Sequence, residues 1–190
     1  MLKKDMTKSE IEEFLKGKGD FVQIDHLTRF LKEKQIPIDR KRFVCLKLAE
    51  IYEKKGMLRE AAKMYNNIAI ASIAFSEKIK NHVKEAELYI KSGNFEDANN
   101  SVKKAMNDAK VDQRAEIYVV IKIFYKKQAE VYEKQRKRSS AVRIYEKLLE
   151  MNISEEERVE IKEKLMNLYE KLGRLKEYFT IKHDKFDNKI

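Results

Sequence analysis

Tyr52, Tyr89, Tyr132 and Tyr169 stand 37, 43 and 37 residues apart, and other residues keep step with them. Three positions before each stands Ala49, Ala86, Ala129 or Met166; four after it, Gly56, Gly93, Arg136 or Gly173; nine after it, Ala61, Ala98, Ala141 or Tyr178. Self-similarity at a fixed period of this size means stacked copies of one supersecondary unit, none of which can bury both its faces alone. It constrains the fold class and weighs against an enzyme before any motif is considered.

The repeating unit is helical. One Pro, five Gly and no Trp among 190 residues are too little turn chemistry for a many-stranded β protein. Charged residues (39%) and apolar ones (43%) are interspersed, as helices with one apolar stripe and one solvated face require. A net charge of +10 favours association with acidic surfaces or nucleic acid and says nothing of fold. The single cysteine, Cys45, has no intramolecular partner, so a reducing compartment, the cytoplasm, is expected. The charged start of the chain does not resemble a signal peptide, and the most apolar stretch, Ile68 to Phe75, is too short to span a bilayer.

Punctuation along the chain predicts ten helices in five hairpins and no strands. Thr7 with Glu10, and Ser154 with Glu157, have capping-box spacing. Helices are expected from Lys8 to Gly17, Asp20 to Lys34, Arg40 to Lys55 with Asp39 as N-cap, and Leu58 to Ala74. Further helices are expected from Ser76 (as cap) to Ser92, Phe95 to Asp108, and Gln113 to Gln135 with Asp112 as cap. The last three span Arg138 to Met151, Ser154 to Leu172, and Gly173 onward, fraying past Lys182. The small residues allow the paired helices to approach: Ala49 with Ala61, Ala86 with Ala98, Ala129 with Ala141.

These residues resemble the tetratricopeptide repeat (TPR) signature. The fullest copy is Leu48, Ala49, Tyr52, Gly56, Leu58, Ala61 and Tyr65; the second is Ala86, Tyr89, Gly93, Phe95, Ala98 and Ala105. The third keeps Ala129, Tyr132, Ala141 and Tyr145 but has Arg136 and Arg138 at the turn; the fourth has Tyr178 in an Ala slot. A weaker N-terminal copy has its turn at Gly19-Asp20-Phe21. The period exceeds the usual 34 residues, and the longer hairpins also resemble SNAP-type adaptors and bacterial response-regulator-binding TPR proteins. The resemblance implies an all-α, right-handed α-solenoid of about five antiparallel hairpins. A single solenoid is expected over 1–190, with a degenerate cap at 1–38, four hairpins at 40–187 and a frayed tail at 183–190.

No catalytic set emerges. His26, His82 and His183 are far apart and read as surface or groove histidines, with no ligand spacing around them; no metal or cofactor is expected. Cys45 reads as a small buried thiol rather than a nucleophile. No glycine-rich phosphate loop follows a strand. The richest basic run, Lys134, Arg136, Lys137 and Arg138 with Arg143 beyond, offers a phosphate-binding patch for RNA or DNA. The plainer reading is a solvated turn, because the nearby tyrosines fall on packing slots.

In TPR arrays the first helix of each hairpin lines a concave groove that holds a peptide or helix. Carried onto this sequence, the groove positions include Phe43, Leu46, Glu50 and Glu53, then Lys80, Val83, Glu87 and Ile90, then Lys126, Glu130 and Glu133. Leu46 and Glu50 stand where a chaperone-tail clamp needs Lys and Asn, so that ligand is not expected. The ladder of Glu50, Glu87 and Glu130 among apolar spots suits a partner segment that is basic and apolar; alternatively each Glu only balances a Lys one turn away. The expectation is a non-catalytic protein-binding adaptor or scaffold, with nucleic-acid binding at 134–143 as the alternative and self-association open.

Overall fold

A computed structural model describes residues 2–187, and the side chains of residues 2–183. Among the described residues there are ten helices and no strand: α1 Lys8–Leu15, α2 Asp20–Leu31, α3 Ile38–Lys54, α4 Leu58–Ala71, α5 Phe75–Lys91, α6 Phe95–Asp108, α7 Val111–Lys134, α8 Arg138–Leu149, α9 Glu155–Leu172 and α10 Leu175–Asp187. The chain forms two compact units, divided between Ile117 and Tyr118, inside α7. In the first, α2 packs on α3, α3 on α4, α4 on α5 and α5 on α6; in the second, α8 packs on α9 and α9 on α10.

The tyrosine register is visible in the backbone. Gly56, Gly93 and Gly173 adopt φ of 72°, 75° and 70°, the left-handed conformation that lets a helix end and the chain turn back. The amide one residue further on donates to the carbonyl of the register tyrosine: Met57 to Tyr52 at 2.8 Å, Asn94 to Tyr89 at 2.9 Å and Arg174 to Tyr169 at 2.9 Å. Lys137 donates to Tyr132 in the same way at 2.9 Å, although a non-glycine, Arg136, takes the left-handed position with φ 56°. Four turns thus share one hydrogen-bond pattern whatever residue occupies them.

The predicted small-residue contacts lie in the core. Ala49, Ala61, Ala86, Ala98, Ala129 and Ala141 are fully buried, and Leu48, Leu88, Ile144 and Leu165 fill the space beside them. At such positions a larger side chain would force helices apart in a close-packed interior.

Both capping boxes form, Thr7 with Glu10 and Ser154 with Glu157. Three other expected caps do not. The helix after the proline starts at Ile38 with Pro37 at the N-cap, which leaves Asp39 inside the first turn, where a carboxylate still complements the helix dipole. Ser76 lies inside α5, whose N-cap is Ala74, and Asp112 lies inside α7. At the N-terminal hairpin the left-handed residue is Gly17 (φ 73°), while Gly19, expected at the turn, is the N-cap of α2. Helix α2 stops at Leu31 rather than Lys34, before Gln35 with φ 61°.

The long step between Tyr89 and Tyr132 resides in a helix. Helix α7 has 24 residues where α3 and α5 have 17 each. Helix α10 runs to Asp187, and the remainder of the expected tail at 183–190 lies outside the described residues.

Candidate functional site

The first helix of each hairpin (α1, α3, α5, α7 or α9) carries the expected groove positions, and cross-helix ion pairs join these helices within each unit. In the first unit Lys47 bridges α3 to Glu12 of α1 at 2.9 Å, and Lys84 bridges α5 to Glu53 of α3 at 3.0 Å. In the second, Lys122 and Lys126 of α7 hold Glu157 of α9 at 2.9 and 2.6 Å. Those lysines first, and then the Ser154 amide, draw the Glu157 carboxyl down to about 2 from the usual 4.5.

These pairs account for much of the charge on the expected face. Glu50 pairs with Lys47 at 3.7 Å. Glu87 pairs with Lys84 at 3.1 Å and also with Lys91. Burial acts to raise the Glu87 pKa, but the two ammonium groups overcome it and the carboxyl stays below its ordinary range. Lys84 shows the mirror case: burial works against its charge, and Glu53 and Glu87 outweigh that effect. Lys126 is engaged by Glu157, whereas Glu130 is exposed with no ion-pair partner among the described residues.

The apolar groove positions divide. Leu46 is 40% exposed, and Phe43 and Val83 are half-buried, so all three are at least partly accessible to solvent. Lys80 is exposed. Ile90 is not available: it is fully buried. A bond that the sequence reading missed explains the difference. The Tyr65 hydroxyl donates to Glu53 at 2.9 Å, and the Tyr145 hydroxyl donates to Glu133. In each case a glutamate directly follows the register tyrosine and the donor lies 12 residues further on. Burial first, and then the carboxylate, push both phenols above their ordinary pKa. In the intervening copy the same two slots hold Ile90 and Val102, an apolar pair in place of a polar one. The recurrence of Glu and Tyr at this spacing was the signal in the sequence.

The basic run surrounds the α7–α8 turn. Lys134, Arg136, Lys137, Arg138 and Arg143 are all exposed. Arg136 and Arg138 line a cleft of about 500 Å³ with Asn167 and Lys171 of α9, and Glu133 is on its wall. The Lys137 ammonium lies 5.9 Å from the Tyr132 ring centre, a cation–π arrangement. Arg143 does not line this cleft. The secondary basic cluster at Arg40–Arg42 is partly absorbed, since Arg42 binds Glu77 at 2.6 Å.

The histidines separate. His26 packs edge-on against Phe14 at 5.0 Å, and His183 is exposed. His82 is not a surface or groove residue as expected; it is buried, with Nδ1 at 2.9 Å from Glu85. Glu85 in turn accepts from Lys104 at 3.2 Å, whose ammonium also reaches Asn66 at 2.9 Å, a polar chain that links α4, α5 and α6. Among the described residues no group of three or more His, Cys, Asp or Glu could hold a metal ion. Cys45 is buried, and burial pushes its thiol up to about 11.

Residues 125–159 match the family model for the tetratricopeptide repeat. The match covers the end of α7, all of α8 and the start of α9, which is the copy whose turn carries Arg136 in place of glycine. No curated protein matches the chain. Repeats of this family commonly bind protein partners and are typically non-catalytic scaffolds. Ten helices among the described residues, packed in sequence within each unit, and one copy matched by the family model support a TPR-like helical-repeat fold.

Proposed function

We propose that the protein is a non-catalytic adaptor that holds a peptide or a helix of a partner protein on the face made by its first-of-hairpin helices. One observation carries this reading: α1, α3 and α5 are joined side by side by the Glu12–Lys47 and Glu53–Lys84 pairs, while Leu46, Phe43 and Val83 remain accessible among them. A face already held in place loses little conformational entropy when a ligand binds. The partner segment is apolar, and its basic residues meet the exposed Glu50, whose only ion pair among the described residues, with Lys47, is long at 3.7 Å. The single buried Cys45 suits a reducing, cytoplasmic setting, and the N-terminal α1–α2 hairpin acts as a cap on the array.

Affinity purification from the native cell with mass spectrometry identifies the partner, and a titration against it tests the site. Leu46→Asp with Glu50→Lys is expected to weaken binding at least tenfold, the effect of losing one buried apolar contact and reversing one charge. Unchanged affinity in that double variant rules this face out.

A second reading, nucleic-acid binding at the α7–α8 turn, is favoured by Lys134, Arg136 and Arg138, which are exposed and have no ion-pair partner among the described residues. Filter binding to single-stranded RNA at two salt concentrations discriminates. Affinity that collapses with salt and falls in Arg136→Glu/Arg138→Glu supports it, and no retention at low salt removes it.

A further inference from the structure

Three connectors of the first unit lie at one end of its helices, because successive helices run antiparallel: residues 32–37 before α3, 72–74 before α5 and 109–110 before α7. The Arg42–Glu77 bond at 2.6 Å ties the second turn of α3 to the first turn of α5, so the first two connectors adjoin. Each connector leaves large apolar side chains in water. Ile38 is 60% exposed; Ile70, Ile73 and Phe75 are 71%, 89% and 63% exposed; Val111 is 82% exposed. Side chains this exposed project from the surface and line no groove. Removing them from water yields free energy in any apolar environment that admits them, so the charges around them decide which one fits.

Cations accompany them. The Lys78 ammonium lies 5.2 Å from the centre of the Phe75 ring. Lys34, Lys41, Lys78 and Lys110 have no ion-pair partner among the described residues. The carboxylates at this end are mostly engaged: Glu77 by Arg42, Asp39 by Lys8 at 3.9 Å, and Asp108 beside His82 at 4.0 Å, which leaves Glu33 and Asp112. Protruding aliphatic and aromatic side chains ringed by unpaired lysines match the boundary of an anionic bilayer, where the apolar groups enter below the headgroups and the ammonium groups meet phosphate. No helix among the described residues is long and apolar enough to cross a membrane, so the contact is peripheral.

We infer that this end of the first unit docks on an anionic membrane surface, with Ile73 and Phe75 inserting at the headgroup boundary and Lys41, Lys78 and Lys110 binding lipid phosphates. The chain contains no tryptophan, so Phe75→Trp places one reporter at the site. Its emission is expected to shift to the blue with phosphatidylglycerol-containing vesicles and to stay unshifted with phosphatidylcholine alone. Ile73→Asp/Phe75→Asp is expected to lower sedimentation with the anionic vesicles about tenfold or more. Lys78→Glu, which leaves the apolar tip intact, is expected to lower it about fivefold to tenfold. All three side chains lie at the surface, and circular dichroism checks that the variants keep their helix. Failure of the unaltered 190-residue chain to bind anionic vesicles at low salt overturns the inference, as does binding that neither variant weakens. A blue shift that appears without lipid as protein concentration rises identifies a second copy of the chain as the occupant and overturns it too.

Discussion

Arg136 performs a glycine's task, and replacing it with glycine should stabilise the protein. Its φ of 56° places it with Gly56, Gly93 and Gly173, and the Lys137-to-Tyr132 bond confirms that the fold imposes the conformation. An L-residue held there is disfavoured by roughly 1–2 kcal/mol. Glycine removes that strain but adds roughly 0.4–1 kcal/mol of unfolded-state entropy. The difference leaves a net gain of about 1 kcal/mol, an increase of about 0.3–1 M in the urea midpoint. Arg136 also lies among Lys134, Lys137 and Arg138, and relief of surface repulsion contributes at most a few tenths of a kcal/mol. Arg136→Ala separates the two causes, because it removes the charge and keeps the Cβ. Gly173→Ala is the reverse control: a Cβ there meets nothing within 4 Å, so its loss of about 1 kcal/mol is purely conformational. If Arg136→Gly proves no more stable than Arg136→Ala in urea titrations followed by circular dichroism, backbone strain is not the cause and the reasoning fails.

Other outcomes are equally direct. The Glu157 carboxyl titrates lower in the folded chain than in the unfolded one, so its stabilisation is complete above about pH 4.5 and is lost as the pH falls toward about 2. Glu157→Gln should flatten the urea midpoint over that acid range, and an unchanged slope would count against the Lys122 and Lys126 pairs. Cys45, buried with its thiol near 11, should react with a thiol reagent orders of magnitude more slowly in the native protein than in urea; rapid native labelling at neutral pH contradicts its burial. Ala141→Leu should cost about 1–3 kcal/mol by overpacking a fully buried position, measured by the same urea titration.

Turns and close helix contacts were legible because they depend on residue types at fixed offsets. The tyrosine spacing located the four turns that follow Tyr52, Tyr89, Tyr132 and Tyr169, though not the N-terminal one at Gly17, and Arg136 stands out in the sequence as the departure from glycine. Helix starts were less legible at Asp39, Ser76 and Asp112. A good capping side chain marks a candidate N-terminus, but these helices begin one or more residues before it, at the exposed Ile38, Phe75 and Val111, and helix ends fray by a residue or two. The partner face was legible as helix positions and not as chemistry. Whether Glu53, Glu87 or Lys126 stays free depends on Tyr65, Lys84 and Glu157, which lie on other helices or one turn away. His82 was misread for the same reason: Lys104, whose ammonium joins its partner Glu85 to α6, lies 19 residues beyond Glu85.

The alternation of Glu53 with Tyr65, Ile90 with Val102 and Glu133 with Tyr145 bears on how such a chain can change over generations. A buried phenol without its carboxylate leaves its hydroxyl unsatisfied, whereas the carboxylates keep other partners, Lys84 for Glu53 and water for the exposed Glu133. Loss of the glutamate alone is therefore penalised until the tyrosine is replaced as well. Duplication of a complete hairpin carries both slots together and meets no such barrier. An exchange that brings the apolar slot of α5 opposite Tyr65, without Glu53, should therefore lower stability more than an exchange of the whole helix pair.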